Sequence, residues 1–380
     1  MEKKNIPYTK HEITEDDIKS VADALRSDWI ATGPKTKEFE EIFSKMIGCR
    51  HSIAVSSATA ALDLSLKVLE LPNGSEIITT PFTFVATSNA MIYNNLKPVF
   101  CDIDKETFNI NPKLIEEKIT DRTRAVFSVD YAGQPCEYDK ITKICDENGL
   151  ILLEDAAHAV GAEVNGKKVG TIAKMTSFSF HATKNLTTGE GGIITTDDEE
   201  IAKKLHMLRS HGIDSDPLNR SKDATWRYDM KMLGMNYRMT DFQCALGISQ
   251  LQRTNKIIQR RTEIVDFYNK EFSNIKGIRT PILKKNVKSS WHLYTILLDD
   301  VNRDEMYRHL LEKGIIANVH YIPVYKHSYY KEKFRIDESE FPVTEDVFKR
   351  ILTLPLFQKM TDDDAKRVVA AVKEGIEKLK

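Results

Sequence analysis

Short runs of apolar and β-branched residues recur through the first two thirds of the chain, and helical patterns lie between most of them. Seven runs predict strands, at 51–55, 76–79, 98–102, 124–130, 150–154, 176–180 and 192–196. Helices are predicted between them, at 58–69, 83–94, 112–118 and 138–148. Because strands that alternate with helices form a mostly parallel sheet covered on both faces, these residues predict a large α/β domain with a seven-stranded sheet between helices.

The pattern changes after Thr240, where one long helix is predicted over 241–272. Beyond it, predicted strands at 291–298 and 315–321 alternate with predicted helices at 303–313 and 362–380, which is the content of a smaller α+β domain. A chain of 380 residues exceeds the length at which one core usually stops growing, about 250 to 300 residues. We therefore predict two domains, a large one over 1–250 and a small C-terminal one over 251–380.

Charge and composition exclude several classes of function. The chain has 55 Lys and Arg against 56 Asp and Glu, with no basic run interleaved with aromatic residues, so neither nucleic acid nor a membrane surface is an expected partner. The first ten residues are polar, and no segment approaches about 18 uninterrupted apolar residues, so a cytoplasmic protein is expected. The ten histidines and five widely spaced cysteines form no metal-ligand spacing, and we expect no metal site and reduced, mostly buried thiols.

Asp155 stands directly after the predicted buried strand 150–154. Ligands of open α/β sheets gather at the carboxyl ends of the strands, so a carboxylate there is placed to meet one. Pyridoxal phosphate needs an acid of this kind opposite its pyridine nitrogen, together with a lysine and a set of donors for its phosphate. The alternative is that Asp155 only caps the segment that follows it.

Lys184 lies in a polar turn that follows the predicted strand 176–180 and precedes the glycine-rich residues 189–192. A lysine desolvated at such a turn, close to a cationic ring, has a lowered pKa, as an attacking or proton-transferring amine requires. Ser179 lies on the same strand, where its hydroxyl can donate to a phosphate. The alternative is an ordinary solvated surface lysine.

A second phosphate contact is suggested by the small hydroxyl residues at 56–60, between the first predicted strand and the helix after it. A helix N-terminus offers free backbone N–H groups and the positive end of the helix dipole, which together bind anions. Ordinary Ser/Thr capping is the alternative. Phe84 is a candidate to stack on the pyridine ring, although phenylalanine at this spacing is also typical of a protein core.

These segments together resemble the DegT/DnrJ/EryC1/StrS family of nucleotide-sugar aminotransferases, which are fold-type-I pyridoxal-phosphate enzymes. The resemblance covers nearly the whole chain, and several independent motifs in the same order carry it. The motifs lie at 28–34 (DWIATGP), 56–61 (SSATAA), 80–87 (TPFTFVAT), 154–159 (EDAAHA), 177–184 (SFSFHATK), 189–192 (GEGG), 234–241 (GMNYRMTD) and 319–323 (VHYIP).

The resemblance implies roles for individual residues at the cofactor. Lys184 bonds to the aldehyde of pyridoxal phosphate, Asp155 pairs with the pyridine nitrogen, and His158 lies beside the ring hydroxyl. These three residues are the implied catalytic set. The resemblance also implies that Phe84 covers one face of the ring. It assigns the phosphate to Ala58, Thr59, Ser179 and, from the neighbouring subunit of a homodimer, Asn236.

The resemblance also implies a set of residues that contact the substrate. Six residues match positions that line the cleft for the nucleotide sugar, namely Tyr131, Glu190, Tyr237, Arg238, His320 and Tyr321. The forms SFHAxK and DYAG of two motifs resemble those of members that aminate C4 of a UDP-linked 4-keto sugar, with glutamate as the expected amino donor, in the biosynthesis of cell-surface polysaccharide or glycoconjugate sugars.

Three alternatives stay open. An aminotransferase of the same family that acts on a 3-keto sugar shares all these motifs. A sugar dehydratase of the family has histidine in place of the lysine, so Lys184 argues against that reading. A non-catalytic binding protein with this fold is expected to have lost Asp155, Ser179 or Lys184, and the sequence keeps all three.

Overall fold

The computed structural model of this protein describes residues 5–215 and 226–379. Within them, seven strands form the central sheet, each within two residues of its predicted bounds. They are β1 (His51–Val55), β2 (Glu76–Thr79), β3 (Lys97–Phe100), β4 (Thr123–Val129), β5 (Ile151–Asp155), β6 (Met175–Ser179) and β7 (Gly192–Thr196). The predicted seven-stranded sheet is confirmed.

The order across the sheet is β1-β7-β6-β5-β4-β2-β3. Strands β6, β5, β4, β2 and β3 pair in parallel, whereas β7 runs antiparallel to both of its neighbours. The mostly parallel sheet and the α/β fold class are therefore confirmed. Because the parallel strands end at one edge, the residues that follow β4, β5 and β6 meet there.

Helices cover both faces of this sheet and extend through the C-terminal third. Their bounds are Glu15–Leu25, Pro34–Ile47, Ala58–Lys67, Ala86–Tyr93, Tyr138–Asn148, Glu199–Leu208, Asp241–Leu251, Thr254–Phe272, Arg303–Glu312, Ser328–Phe334, Pro342–Arg350 and Asp362–Leu379. The predicted helix at 112–118 was wrong, because that segment forms two short 3-10 turns, Pro112–Leu114 and Glu116–Lys118. Within residues 5–215 and 226–379, no helix has both the length and the apolar character needed to span a membrane.

The single long helix predicted over 241–272 was also wrong. Two helices are present, and the chain leaves helical geometry at Arg253, whose φ and ψ are −104° and 3°. The hydroxyl of Thr254 donates to the carbonyl of Leu251 at 2.8 Å, so that carbonyl is bonded to a side chain at the break. Arg253 donates to the buried carboxylate of Asp17 at 2.5 Å, which fixes the corner. Apolar periodicity alone does not detect such a corner.

A second, antiparallel sheet lies in the C-terminal third and consists of Ile278–Arg279, Tyr294–Leu298 and Ile351–Leu354. The predicted strand at 291–298 begins later, at Tyr294, because Trp291 has a positive φ of 49°. The predicted strand at 315–321 was wrong, since that segment makes only isolated bridges. The strand that pairs with Tyr294–Leu298 on this side is Ile351–Leu354, which the sequence analysis missed.

The apolar core of the C-terminal third includes Ile6, a residue of the N-terminal segment. Ile6 is buried in the same apolar cluster as residues of the helices Thr254–Phe272 and Asp362–Leu379. Its N–H donates to Gly314 and its carbonyl accepts from Ile316. The N-terminal segment therefore packs on the C-terminal third, and the division at 250/251 stays a prediction.

Glu76 is a buried carboxylate at the start of β2, with only 2% of its side chain exposed. Burial opposes its ionisation, but hydrogen bonds from Thr120, Arg122 and Lys97 outweigh burial and hold its pKa to about 2, below the ordinary 4.5. The ionised carboxylate of Glu76 therefore links the start of β2 to the loop that leads into β4.

Candidate active site

A cavity of about 430 Å³ opens where the parallel strands end. Asp155 ends β5, Ser179 ends β6, and Lys184 follows five residues later. The cavity brings together ten of the residues singled out in the sequence, which are Ala58, Thr59, Phe84, Asp155, His158, Ser179, Lys184, Glu190, His320 and Tyr321. These residues come from segments more than 200 positions apart, so the fold unites what the motifs suggested separately.

Lys184 is placed at the base of the cavity by a tight turn in which its N–H donates to the carbonyl of His181 at 2.9 Å. Loss of hydration lowers the pKa of its amine to about 8, although the nearby carboxylate of Asp155 acts in the opposite direction. A substantial fraction of this amine is therefore neutral near pH 7 to 8. It is not the solvated surface lysine of the alternative interpretation.

Asp155 is held from two sides. Its Oδ2 accepts from the hydroxyl of Thr87 at 2.7 Å, and its Oδ1 accepts from the N–H of Ala157 at 3.1 Å. Burial raises the pKa of Asp155, while those two bonds and the charge of Lys184 act to lower it. The bond to Ala157 resembles a cap, but no helix begins after Asp155. The carboxylate lines the cavity with a fixed orientation, ready to pair with a cationic nitrogen.

The N-terminus of the helix Ala58–Lys67 is a candidate anion cradle. Ser57 caps the helix by accepting from the N–H of Ala60 at 3.1 Å, and the first intrahelical bond runs from Ala61 to the carbonyl of Ser57. The amides of Ala58 and Thr59 precede that bond and border the cavity. Capping by Ser57 is confirmed, and the free amides keep anion binding at this turn as a prediction.

Gly192, the first residue of β7, packs directly on the same turn. A Cβ at this position would lie 2.5 Å from the carbonyl carbon of Ser57 and 2.7 Å from the nitrogen of Ala58. The turn approaches the sheet this closely only because the side chain is absent. An amine, a carboxylate and an anion cradle within one cavity of this volume fit pyridoxal phosphate.

The aromatic wall of the cavity is formed by Phe84 and Tyr321, whose ring centroids lie 6.1 Å apart. Phe84 is 58% exposed, so it is not a core residue. His158 is buried beside Tyr321, with 3.0 Å between its Nε2 and the tyrosine Oη. Burial lowers the pKa of His158 well below its ordinary value, with the charges of Lys184 and His320 acting in the same direction.

Four predicted site residues lie outside this cavity. Tyr131 is buried behind its wall and donates to the carbonyl of His320 at 2.5 Å. Tyr237 donates to Asp63 at 3.1 Å, and Arg238 donates to Ser210 at 3.1 Å. Asn236 is exposed and bridges Ser210 through its backbone. One chain alone does not bring these four residues to the cavity, and their predicted roles stay predictions.

A pair of buried carboxyls lies behind Asp155. Asp130 accepts from the N–H of Cys136 at 2.9 Å and from the hydroxyl of Tyr138 at 2.7 Å, and Glu154 accepts from Thr176 at 2.6 Å. Burial and the neighbouring charge of Glu154 raise the pKa of Asp130 well above its ordinary value, and Asp130 Oδ2 and Glu154 Oε1 are both buried without a hydrogen-bond donor. We therefore expect the two acids to share one proton, held by Asp130.

Several residues that line the cavity were not singled out by the sequence analysis, among them Tyr8, His181 and Thr183. His181 and Thr183 lie inside the quoted 177–184 motif, so their position in that motif was a usable signal. Tyr8 comes from the N-terminal segment, which is tied down by a bond from the hydroxyl of Thr9 to the carbonyl of Thr183 at 3.3 Å. No local pattern points to Tyr8. Across the described ranges, no group of three or more His, Cys, Asp or Glu side chains is placed to hold a metal ion.

Comparison with known proteins agrees with this geometry. The profile of the DegT/DnrJ/EryC1/StrS aminotransferase family matches residues 11–373. The chain is 42% identical over 375 residues to the spore coat polysaccharide biosynthesis protein SpsC of Bacillus subtilis, covering 97% of this chain and 96% of SpsC.

Two solved structures are similar over almost the entire chain. PseC of Helicobacter pylori, an aminotransferase involved in the biosynthesis of pseudoaminic acid, superposes with a TM-score of 0.92 at 32% identity, over 98% of this chain and 100% of PseC. The putative sugar aminotransferase Spr1654 of Streptococcus pneumoniae in its PMP form gives a TM-score of 0.94 at 35% identity, over 99% and 100% of the two chains. Spr1654 has also been solved in a PLP form.

Proposed function

The chain belongs to the DegT/DnrJ/EryC1/StrS aminotransferase family, and on that premise we propose that it aminates C4 of a UDP-linked 4-keto sugar. It is a sugar aminotransferase that uses pyridoxal phosphate. Glutamate is the proposed amino donor. The observation that carries the proposal is the single cavity in which the recessed amine of Lys184, the fixed carboxylate of Asp155 and the anion cradle at Ala58 and Thr59 converge.

Each part of the cavity has a defined task. When bound, pyridoxal phosphate supplies the electron sink for amino-group transfer. Lys184 would hold the cofactor and, with a pKa of about 8, can take up a proton from a substrate carbon and return it near neutral pH. The carboxylate of Asp155 would keep the pyridine nitrogen protonated. The amides of Ala58 and Thr59, with the hydroxyl of Ser179, would bind the phosphate.

The choice of sugar rests on two supports. PseC is named for the biosynthesis of pseudoaminic acid and SpsC for spore coat polysaccharide biosynthesis, which favours a role in cell-surface polysaccharide or glycoconjugate sugars. We propose the cytoplasm as its location. The polar side chains of Glu190, His320 and Tyr321 share the cavity with the cofactor residues, so a hydroxyl-rich substrate can be oriented there. The SFHAxK form of the lysine motif supports amination at C4.

Mass spectrometry of products from a panel of nucleotide-linked 4-keto and 3-keto sugars tests this proposal. We expect glutamate-dependent conversion of a UDP-linked 4-keto sugar to its amino derivative, at a rate well above that of the 3-keto compounds. Amination of 3-keto sugars alone would overturn the C4 assignment. Loss of a hydroxyl without gain of nitrogen would indicate a dehydratase, and no turnover with any pair would indicate a binding protein.

We further propose that two chains form a dimer with shared active sites, in which Asn236 reaches the phosphate bound by its partner. Three observations support this: Asn236 is exposed, it lies outside its own chain's cavity, and most homo-oligomers close through two-fold pairs. Loss of a hydrogen bond to a charged group costs about 1.5 to 3 kcal/mol, so Asn236→Ala should weaken cofactor binding by about ten- to a hundredfold.

Co-expression tests the shared site. Lys184→Ala and Asn236→Ala should each be nearly inactive at limiting cofactor, whereas a mixed dimer contains one site with both native residues. With random pairing, activity should recover to about a quarter of wild type. If both residues served the same chain's site, the co-expressed sample would be no more active than the separate variants.

A further inference from the structure

His158 and Tyr321 contact each other on the cavity wall, with 3.0 Å between the Nε2 of the imidazole and the phenolic Oη. A contact of this length is a hydrogen bond, but either group can in principle supply the proton. The direction matters, because it decides which of the two groups still has a proton to offer to a ligand in the cavity.

The other nitrogen of His158 settles the direction. The backbone N–H of Ala132 donates to Nδ1 at 3.3 Å, so Nδ1 is an acceptor. A neutral imidazole has one N–H, which must then be on Nε2. Because burial keeps His158 neutral, its Nε2–H donates to Tyr321, and the tyrosine oxygen is the acceptor.

The loop that contains Ala132 packs closely against the backbone of His158. Ala132 and Gly133 have φ values of 57° and 95°, and a Cβ on Gly133 would meet the carbonyl of His158 at 2.9 Å. That carbonyl accepts from the hydroxyl of Ser290 at 2.6 Å. The ring of His292 lies against the His158 ring with centroids 4.3 Å apart. The imidazole is therefore held at its backbone, at one ring face and at Nδ1.

Tyr321 consequently has its own proton to donate. Its oxygen accepts from His158, burial raises its pKa so that the hydroxyl stays protonated, and its side chain lines the cavity beside Phe84. We propose that Tyr321 is the hydrogen-bond donor to a ligand oxygen in the cavity, and that His158 is a positioning residue that orients it. The acceptor is either the phenolic oxygen of the cofactor or the ketone oxygen of the sugar.

This assignment differs from the expectation that His158 itself lies beside the cofactor's ring hydroxyl. With its Nδ1 bonded to Ala132 and its Nε2–H bonded to Tyr321, His158 has no second proton for a ligand. The inference rests on the cofactor site of the proposed function but not on the identity of the sugar, so an absorption measurement without substrate tests it separately.

Tyr321→Phe removes the donor and keeps the ring. Tyr294→Phe is the matched control, because Tyr294 lies in the small sheet and its hydroxyl donates to Asn269 of the helix Thr254–Phe272, outside the cavity. The first readout is the pH at which the absorption of the cofactor-loaded enzyme changes. If the acceptor is the phenolic oxygen, loss of the Tyr321 hydroxyl leaves the negative charge of that oxygen uncompensated. The charge then holds the neighbouring proton on the Lys184 nitrogen more tightly, so the pH midpoint of the absorption change should rise by about one to two pH units. If the acceptor is the ketone oxygen, the midpoint should stay fixed while kcat falls about ten- to a hundredfold.

Adding His158→Gln to Tyr321→Phe tests the positioning role. If His158 acts only through Tyr321, the second substitution should add little to the midpoint shift or to the loss of kcat. Additive losses would show that His158 donates to a ligand directly and would overturn the proposal. A Tyr321→Phe enzyme that matches Tyr294→Phe in midpoint, kcat and KM, with both variants melting like wild type, would also overturn it.

Discussion

Gly192→Ala is a small change that should act on the cofactor site through the backbone. The added Cβ would lie 2.5 Å from both the carbonyl carbon and the carbonyl oxygen of Ser57 and 2.7 Å from the nitrogen of Ala58, whereas ordinary contacts begin at 3.4 Å. The peptide group between Ser57 and Ala58 must therefore move away from residue 192 by nearly 1 Å. Gly192 itself has no positive φ, so alanine in this strand would otherwise be favourable by about 0.5 to 1 kcal/mol.

This displacement moves the amides of Ala58 and Thr59, which form the proposed anion cradle. An amide that donates to a phosphate oxygen at about 2.9 Å would lie near 3.8 Å after such a shift, beyond hydrogen-bonding distance. Each bond to a charged group contributes about 1.5 to 3 kcal/mol, and both Ala58 and Thr59 are affected. Allowing for partial relaxation, we expect a loss of at least about 2 kcal/mol, which corresponds to cofactor binding that is weaker by about thirtyfold or more.

Titration of the apoenzyme with pyridoxal phosphate, followed by absorption, measures this loss. Gly74→Ala is the control, because Gly74 has a φ of +80° and nothing within 4 Å of an added Cβ. It should lower stability by about 1 kcal/mol and leave cofactor affinity unchanged. Wild-type affinity in Gly192→Ala would refute the reasoning, since it would mean that the cradle can shift without loss or does not bind the phosphate.

The remaining predictions concern four acidic and basic groups. Lys184→Ala should abolish turnover and the covalently bound cofactor absorption, and borohydride reduction of wild type followed by peptide mapping should find the cofactor on Lys184; a label on Lys174 or Lys167 would contradict this. Asp155→Asn should still bind cofactor but lose activity at least about tenfold, because an amide cannot hold the pyridine nitrogen protonated. A kcat close to that of wild type would indicate that Asp155 serves only as a cap. Glu76→Gln should cost up to about 3 kcal/mol of unfolding free energy at pH 7; since the folded pKa of about 2 lies below the unfolded value of 4.5, urea titrations should show this difference present above pH 4.5 and vanishing as the pH falls to 2. Asp130→Asn should unfold at the same urea concentration as wild type or a higher one at pH 7, because its amide replaces the proton donated to Glu154, whereas Asp130→Ala should lose about 2 to 3 kcal/mol.

The sheet was predictable because each of its strands is a short apolar run bounded by turn residues. The same rule failed in the C-terminal third, where 315–321 and Ile351–Leu354 are both short apolar runs and only one pairs with Tyr294–Leu298. Local sequence does not distinguish them, since strand formation depends on the tertiary context of each run. The corner at Arg253 depends on Asp17, more than 230 residues away.

At the site, the residues that follow strands were predictable and the residues that complete the cavity were not. Asp155 and Ser179 end β5 and β6, and Lys184 follows the same edge, so strand prediction alone places them together. Tyr8 reaches the cavity only because the N-terminal segment crosses to Gly314 and Thr183. That path is a product of tertiary packing and leaves no signal in a single sequence.

The neighbouring acids Glu154 and Asp155 show how backbone geometry, more than side-chain chemistry, selects the acid that lines the cavity. Successive side chains of a strand point to opposite faces, so Asp155 meets the cavity and Glu154 meets the buried Asp130. Burial raises the pKa of both acids, and hydrogen bonds oppose burial in both, from Thr87 and Ala157 at Asp155 and from Thr176 at Glu154; Asp155 has in addition the charge of Lys184 to favour its ionised form. A slip of β5 by one residue would exchange the two environments and place a glutamate at the cavity. The pairing of Val129 with Asp155 and of Asp155 with Ser177 fixes β5 from both sides, and this register makes Asp155 the acid that faces the cofactor site.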